Sequence, residues 1–256
     1  MSRMGGARVT RGLRTRAAAV ALAILAGCLE AHGQPSRGPL PANAPQVLFF
    51  GSSTVAGSGA TATHRRWTSL LARRVGWREI NAGLSGSTLT EVPGRAAASG
   101  EVRWRALAAS GIHPSVVVLM YGANDAVASI PIGEASVPGT FRHAVAAVLR
   151  GLGEAFPDAL LVVCTPQPGR RLQQHRRAPY DAALVQEARA AGAVVVRGDD
   201  AFAAEALPRF AADAIHLNDE GHAALAAHLE RALRAEQVIP GARLARAERR
   251  RAPTTP

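Results

Sequence analysis

There is no lysine in this 256-residue chain; its 30 Lys+Arg positions are all arginine. With no lysine, a phosphate-binding P-loop is ruled out, and no Gly-x-Gly-x-x-Gly fingerprint offers a dinucleotide site in its place. Aromatic residues make up only 4% of the chain. None interleave with the basic clusters, which argues against nucleic-acid binding despite a net charge of +11. Only Cys28 and Cys164 carry thiols, so neither a disulfide framework nor a cysteine-based zinc site can be built. The histidines show no metal-ligand spacing, so no metal or organic cofactor is expected. A Gly-x-Ser-x-Gly nucleophile elbow is missing as well, which argues against an α/β-hydrolase lipase. There are no internal repeats. What remains is a chain that is 48% hydrophobic, with a core to be built mainly from Ala, Val and Leu, and long enough for one well-buried domain plus extensions.

Much of the positive charge sits at the two ends. Arg3, Arg8, Arg11, Arg14 and Arg16 precede an uncharged apolar run, Ala17 to Gly27. That run is too short to span a bilayer, and a basic segment before a short apolar one reads as an export signal over residues 1–27. Leu25-Ala26-Gly27-Cys28 resembles a bacterial lipobox, which predicts lipidation of Cys28 and attachment to a membrane. Cleavage after Ala31-His32-Gly33 is the alternative and predicts a periplasmic or secreted protein. Pro35, Pro39, Pro41 and Pro45 make residues 28–45 an extended tether. A folded domain is expected over 46–236, and an Arg-rich, solvated tail over 237–256. Cys164 is then left without a partner, and its apolar surroundings predict a buried free thiol.

Within the domain, short apolar runs alternate with helical spacing. Strands are expected at Gln46–Phe50, Glu79–Asn81, Ser115–Met120, Ala159–Cys164 and Ala193–Arg197. Helices are expected at Trp67–Val75, Pro138–Phe156, Pro179–Ala191 and Asp219–Ala235, the last capped by Asn218 or Asp219. This alternation predicts an α/β fold with helices on both faces of a five-stranded parallel sheet. Ligands of such sheets bind at the carboxyl ends of the strands.

Four motifs fall at those ends or just before the final helix. They are Gly51-Ser52-Ser53-Thr54, Asn81-Ala82-Gly83-Leu84-Ser85-Gly86, Gly122-Ala123-Asn124-Asp125 and Asp213-Ala214-Ile215-His216-Leu217-Asn218. The first alone would suit a phosphate cradle, but that leaves Asn124 and the Asp213/His216 pair unexplained. A serine hydroxyl needs a base to take its proton. His216 can serve, and Asp213 in the same loop can orient it and stabilise its imidazolium.

In order and spacing these blocks resemble the four blocks of the SGNH (GDSL-type) hydrolases, over roughly residues 46–235. The resemblance implies a three-layer α/β/α sandwich of flavodoxin-like type. It also implies a serine esterase with Ser53 as nucleophile, Asp213 and His216 completing a catalytic triad, and no cofactor. An oxyanion hole from the Ser53 and Gly83 amides and the Asn124 side chain is part of the same pattern. Ser52 stands where the family usually has Asp, and Asp125 is read as support for its loop. The implied substrate is a small-molecule, polysaccharide or lipid ester. An acyltransferase using the same site, or a non-catalytic lipoprotein on a degenerate version of the fold, are the alternatives.

Overall fold

The structure, a computed structural model, describes residues 40–239. The expected export signal, Cys28 and the basic tail lie outside the described residues.

The first strand, β1 (Gln46–Gly51), is buried along its length apart from Gln46, because neighbouring strands and helices cover it on every side. The sheet contains β2 (Arg78–Gly83), β3 (Val116–Met120), β4 (Leu160–Cys164) and β5 (Val194–Val196) as well, in the order β2-β1-β3-β4-β5. Every pairing is parallel, with Val47 of β1 opposite both Glu79 and Val116. Side chains alternate across the pleat. Val47 and Phe49 join Val116, Val118, Val162 and Cys164 on one face. Leu48 and Phe50 join Val117, Leu119 and Val163 on the other.

Helices α2 (Trp67–Val75) and α8 (Asp219–Ala235) cover the first face, with Trp67, Leu71, Leu225 and Leu229 fully buried. Helices α3 (Gly100–Ala108), α5 (Phe141–Ala155) and α6 (Arg171–Ala190) cover the second. Three short segments, α1 (Ser53–Ala56), α4 (Ala123–Val127) and α7 (Leu207–Phe210), complete the α-helices of the described residues. This is the expected three-layer α/β/α architecture. Chain order reverses beside β1, so the ends of β1 and β3 flank the switch point at which such sheets bind ligands.

Several details differ from expectation. Helix α3 is an addition to the expected elements: its large apolar anchors, Trp104 and Leu107, are only partly buried, and Arg103 adds polar contacts to the sheet. That guanidinium donates to Tyr121 Oη at 2.8 Å and to the Ala82 carbonyl at 2.6 Å, and stacks over Phe50. Helix α6 begins at Arg171 and carries Pro179 in its interior rather than starting there. Helix α5 begins at Phe141, because Thr140 caps it by accepting from the His143 amide. Asn218 caps α8 as expected, accepting from the Gly221 amide at 2.9 Å.

The core reaches past the expected domain end at 236. Gln237 adopts a positive φ of 55°, the chain folds back, and Val238 and Ile239 are buried.

Cys164 is fully buried, and desolvation pushes its thiol up to about 12. The reactive thiolate is therefore not formed at neutral pH. Iodoacetamide followed by peptide mapping should leave Cys164 unmodified in the folded protein and alkylate it fully once denatured.

Candidate active site

Strand β1 delivers the first motif. Its last residue, Gly51, is followed by Ser52 and then by Ser53, the first residue of α1. Ser53 therefore presents an amide with no partner inside the helix. Ser52 is 7% exposed, while Ser53 is the more open of the two adjacent serines.

The last motif forms a self-contained dyad. His216 Nδ1 lies 2.8 Å from Asp213 Oδ2, and the Ile215 and His216 amides both donate to Asp213 Oδ1 at 2.8 Å. The bond from His216 and these two amides bring the Asp213 carboxyl down to about 2, so it is ionised at any working pH. An ionised carboxylate only accepts. Nδ1 therefore carries the imidazole proton, and Nε2 is left as the acceptor a general base needs. Among the described residues neither Nε2 nor the Ser53 hydroxyl has a hydrogen-bond partner, and the two are not bonded to each other. In enzymes without substrate such contacts are often long and tighten on binding.

The Gly83 amide, expected as an oxyanion donor, is already engaged within the protein. It donates to Asn81 Oδ1 at 3.0 Å. The absence of a side chain at Gly83 has another cause: a Cβ there would lie 2.1 Å from the Ala56 nitrogen, so glycine is required for α1 to pack on β2. Asn81 holds the same contact together, its Nδ2 donating to the Val55 carbonyl at 2.7 Å. In this block two amides lack a partner among the described residues, those of Ser85 and Gly86, and of the two only Gly86 is a glycine. Gly86 sits in a left-handed turn (φ 75°) between Ser85, whose Oγ is 2.8 Å from Ser58 Oγ, and Ser87.

Asn124 is placed through the same segment. Its Nδ2 donates to the Ser87 carbonyl at 2.7 Å, which leaves its second amide hydrogen for a ligand. Asp125, fully buried, accepts from the Leu89 and Thr90 amides at 2.9 Å each. Burial raises its carboxyl above the ordinary aspartate value, against the pull of those two amides. Asp125 is thus a brace for the loop, as the sequence reading has it.

Ser53 and Asn124 line one cavity of about 250 Å³, together with Val127, Gln167, Arg176 and Ile215. His216 follows Ile215 directly. Among the described residues no group of three or more His, Cys, Asp or Glu side chains could hold a metal ion.

Comparison with known proteins places this geometry in a family. The model of the GDSL-like Lipase/Acylhydrolase family matches residues 49–224, more than half of the chain and all four motifs. The chain belongs to that family. As a GDSL-like hydrolase it acts on carboxylic esters. Solved structures share the fold at low identity. A protein from Lactobacillus plantarum is 23% identical with a TM-score of 0.62, the alignment covering 75% of this chain and 97% of that one. An M. smegmatis aryl esterase is 20% identical (TM-score 0.58; 75% and 99% covered). A carbohydrate acetylesterase from Sinorhizobium meliloti is 18% identical (TM-score 0.58; 75% and 99% covered). A search of the curated proteins found no match.

His222, read from the sequence as a helix residue near the site, is buried and joins the two ends of the domain. Its Nδ1 accepts from the Trp67 amide at 3.3 Å, and its Nε2 faces the Ser58 carbonyl at 3.2 Å. Only the neutral ring can make both bonds, and desolvation lowers its pKa below the ordinary 6.5. A group with a depressed histidine pKa binds its proton more readily in the unfolded chain, so its contribution to stability is fully present above the ordinary 6.5 and is lost as pH falls below it towards the lower folded value. His222→Gln should therefore be less stable than wild type at pH 7.5, and the difference in Tm should narrow towards pH 5.

Asp125→Ala leaves two buried amides unpaired, each costing about 1–3 kcal/mol. A lower Tm together with a loss of ester turnover is expected, since Ser87 and Asn124 shift with the loop.

Proposed function

We propose that this family member is an exported serine esterase that cleaves short acyl esters through an acyl-enzyme on Ser53. The observation that carries this reading is the Asp213–His216 dyad with Nε2 free, beside a cavity whose wall holds both Ser53 and Asn124.

In the proposed cycle His216 Nε2 takes the Ser53 proton as the hydroxyl attacks the ester carbonyl. Asp213 keeps the ring in the Nδ1–H tautomer and stabilises the imidazolium. The oxyanion accepts from the Ser53 amide, the free Asn124 hydrogen and, in place of Gly83, the Gly86 amide. Such donors are each worth about 10²–10³ in rate. His216 then protonates the leaving alcohol, and water repeats the sequence to release the acid.

The modest cavity volume favours small acyl groups. The arylester and acetylated-carbohydrate activities in the names of two structural relatives support the same range. Acetylated carbohydrates, lysophospholipids and other short acyl esters are the proposed substrate class. The basic and then apolar leader supports export, and the lipobox-like segment supports a cell-envelope lipoprotein anchored at Cys28.

Hydrolysis of p-nitrophenyl esters of graded chain length tests the chemistry. The purified protein should prefer the shortest acyl chains. Ser53→Ala should lose at least about 10³-fold in kcat, and Ser52→Ala should keep most of it. A protein as active with Ser53→Ala as without it rejects the assignment. Mass spectrometry of the mature N-terminus in membrane fractions tests the anchor, where a chain beginning at Gln34 rejects lipidation.

A further inference from the structure

We infer that Gln167 is a positioning residue whose side-chain amide holds the turn carrying Ser53 and the loop carrying His216 in catalytic register. The inference rests on the roles proposed above for Ser53 and His216.

Gln167 lies just beyond β4, in Thr165-Pro166-Gln167, and is 7% exposed. Its Oε1 accepts from Thr54 Oγ1 at 2.8 Å, and its Nε2 donates to the Ile215 carbonyl at 3.3 Å. Thr54 follows the nucleophile and Ile215 precedes the base. Among the described residues no other side chain bonds to both segments. A carboxamide suits this place because it offers an acceptor at one end and a donor at the other in a single rigid plane.

The strut is itself anchored. Arg177 of α6 donates from Nη1 to the Gln167 carbonyl at 2.8 Å and from Nη2 to the Pro166 carbonyl at 3.3 Å, and its Nε bonds Asp181 at 2.8 Å. Gln173 repeats the motif at the rim, its Nε2 reaching the Ala214 carbonyl at 3.3 Å. The loop carrying His216 is thus held through two successive carbonyls from the side of α6. This matters because Ser53 and His216 share no bond of their own, so their separation depends on what holds each segment. Misplacement by about 1 Å can cost about 10²-fold in rate.

The test uses the full-length protein with Gln167→Met, which keeps length but removes both bonds. It also uses Thr54→Val, which removes only the donor from a near-isosteric side chain, and the double variant. Three quantities are read: kcat and KM for p-nitrophenyl acetate, the rate of covalent inactivation by a small fluorophosphonate, and Tm. Each single variant should lower kcat and the inactivation rate together, by tenfold or more for Gln167→Met, with KM changed less than kcat. The double variant should be no slower than Gln167→Met alone, because both substitutions break the same link.

Wild-type kcat and inactivation rate in either folded single variant overturn the inference. So does a rise in KM alone, which would make Gln167 a substrate contact. Should Gln167→Met fail to fold, Thr54→Val decides by itself. Loss of activity in Ser53→Ala, measured alongside, separates failure of this inference from failure of the esterase reading.

Discussion

A buried carboxylate holds the catalytic end of this molecule together. Asp125 sits with no solvent exposure at the start of α4 and accepts from two amides of the segment after β2. An aspartate in that position is costly to desolvate, and the cost is offset only if both amides stay in place. The segment they belong to carries Ser87, whose carbonyl orients Asn124, and Gly86, whose amide stays open. The segments that follow β2 and β3 are therefore coupled through one side chain.

The opposite wall of the site is secured differently. The loop bearing Asp213 and His216 is short and partly exposed, yet it is tied down on both sides. Glutamine side chains from beyond β4 and from α6 hold two of its carbonyls. On the other side Asp219 accepts from the amide and hydroxyl of Thr61, and His222 bonds to the Trp67 amide. The electrostatics follow the same division. Asp213 gathers donors and stays ionised near the surface, whereas His222 is enclosed and kept neutral, so two histidines six residues apart serve opposite purposes.

How far this was legible in the sequence depended on range. Continuous apolar runs such as Val116–Met120 announce strands covered on both faces, and the three-layer fold follows from their alternation with helices. Asp213 and His216 are legible because they meet within one loop. The resemblance to the SGNH blocks implies Gly83 for the oxyanion hole, a place where the missing Cβ would permit close approach. That approach proves to be by α1, not by substrate, and only the position of Asn81 reveals it. Helix α3 escaped notice because its large apolar anchors are only partly buried, and Arg103 adds polar contacts to Tyr121 and Ala82. Gln167 could not have been singled out at all. Its partners lie 113 and 48 positions away, and glutamine after a strand carries no signal of its own.

The strand order has a temporal side. Ser53 comes just after the first strand of the domain, while His216 and the helix that secures it come last. A chain emerging from the ribosome owns the proposed nucleophile long before it owns the proposed base, and α8 must dock beside α2 before His222 can bridge the two. In the proposed mechanism the site is therefore incomplete until the last helix has docked.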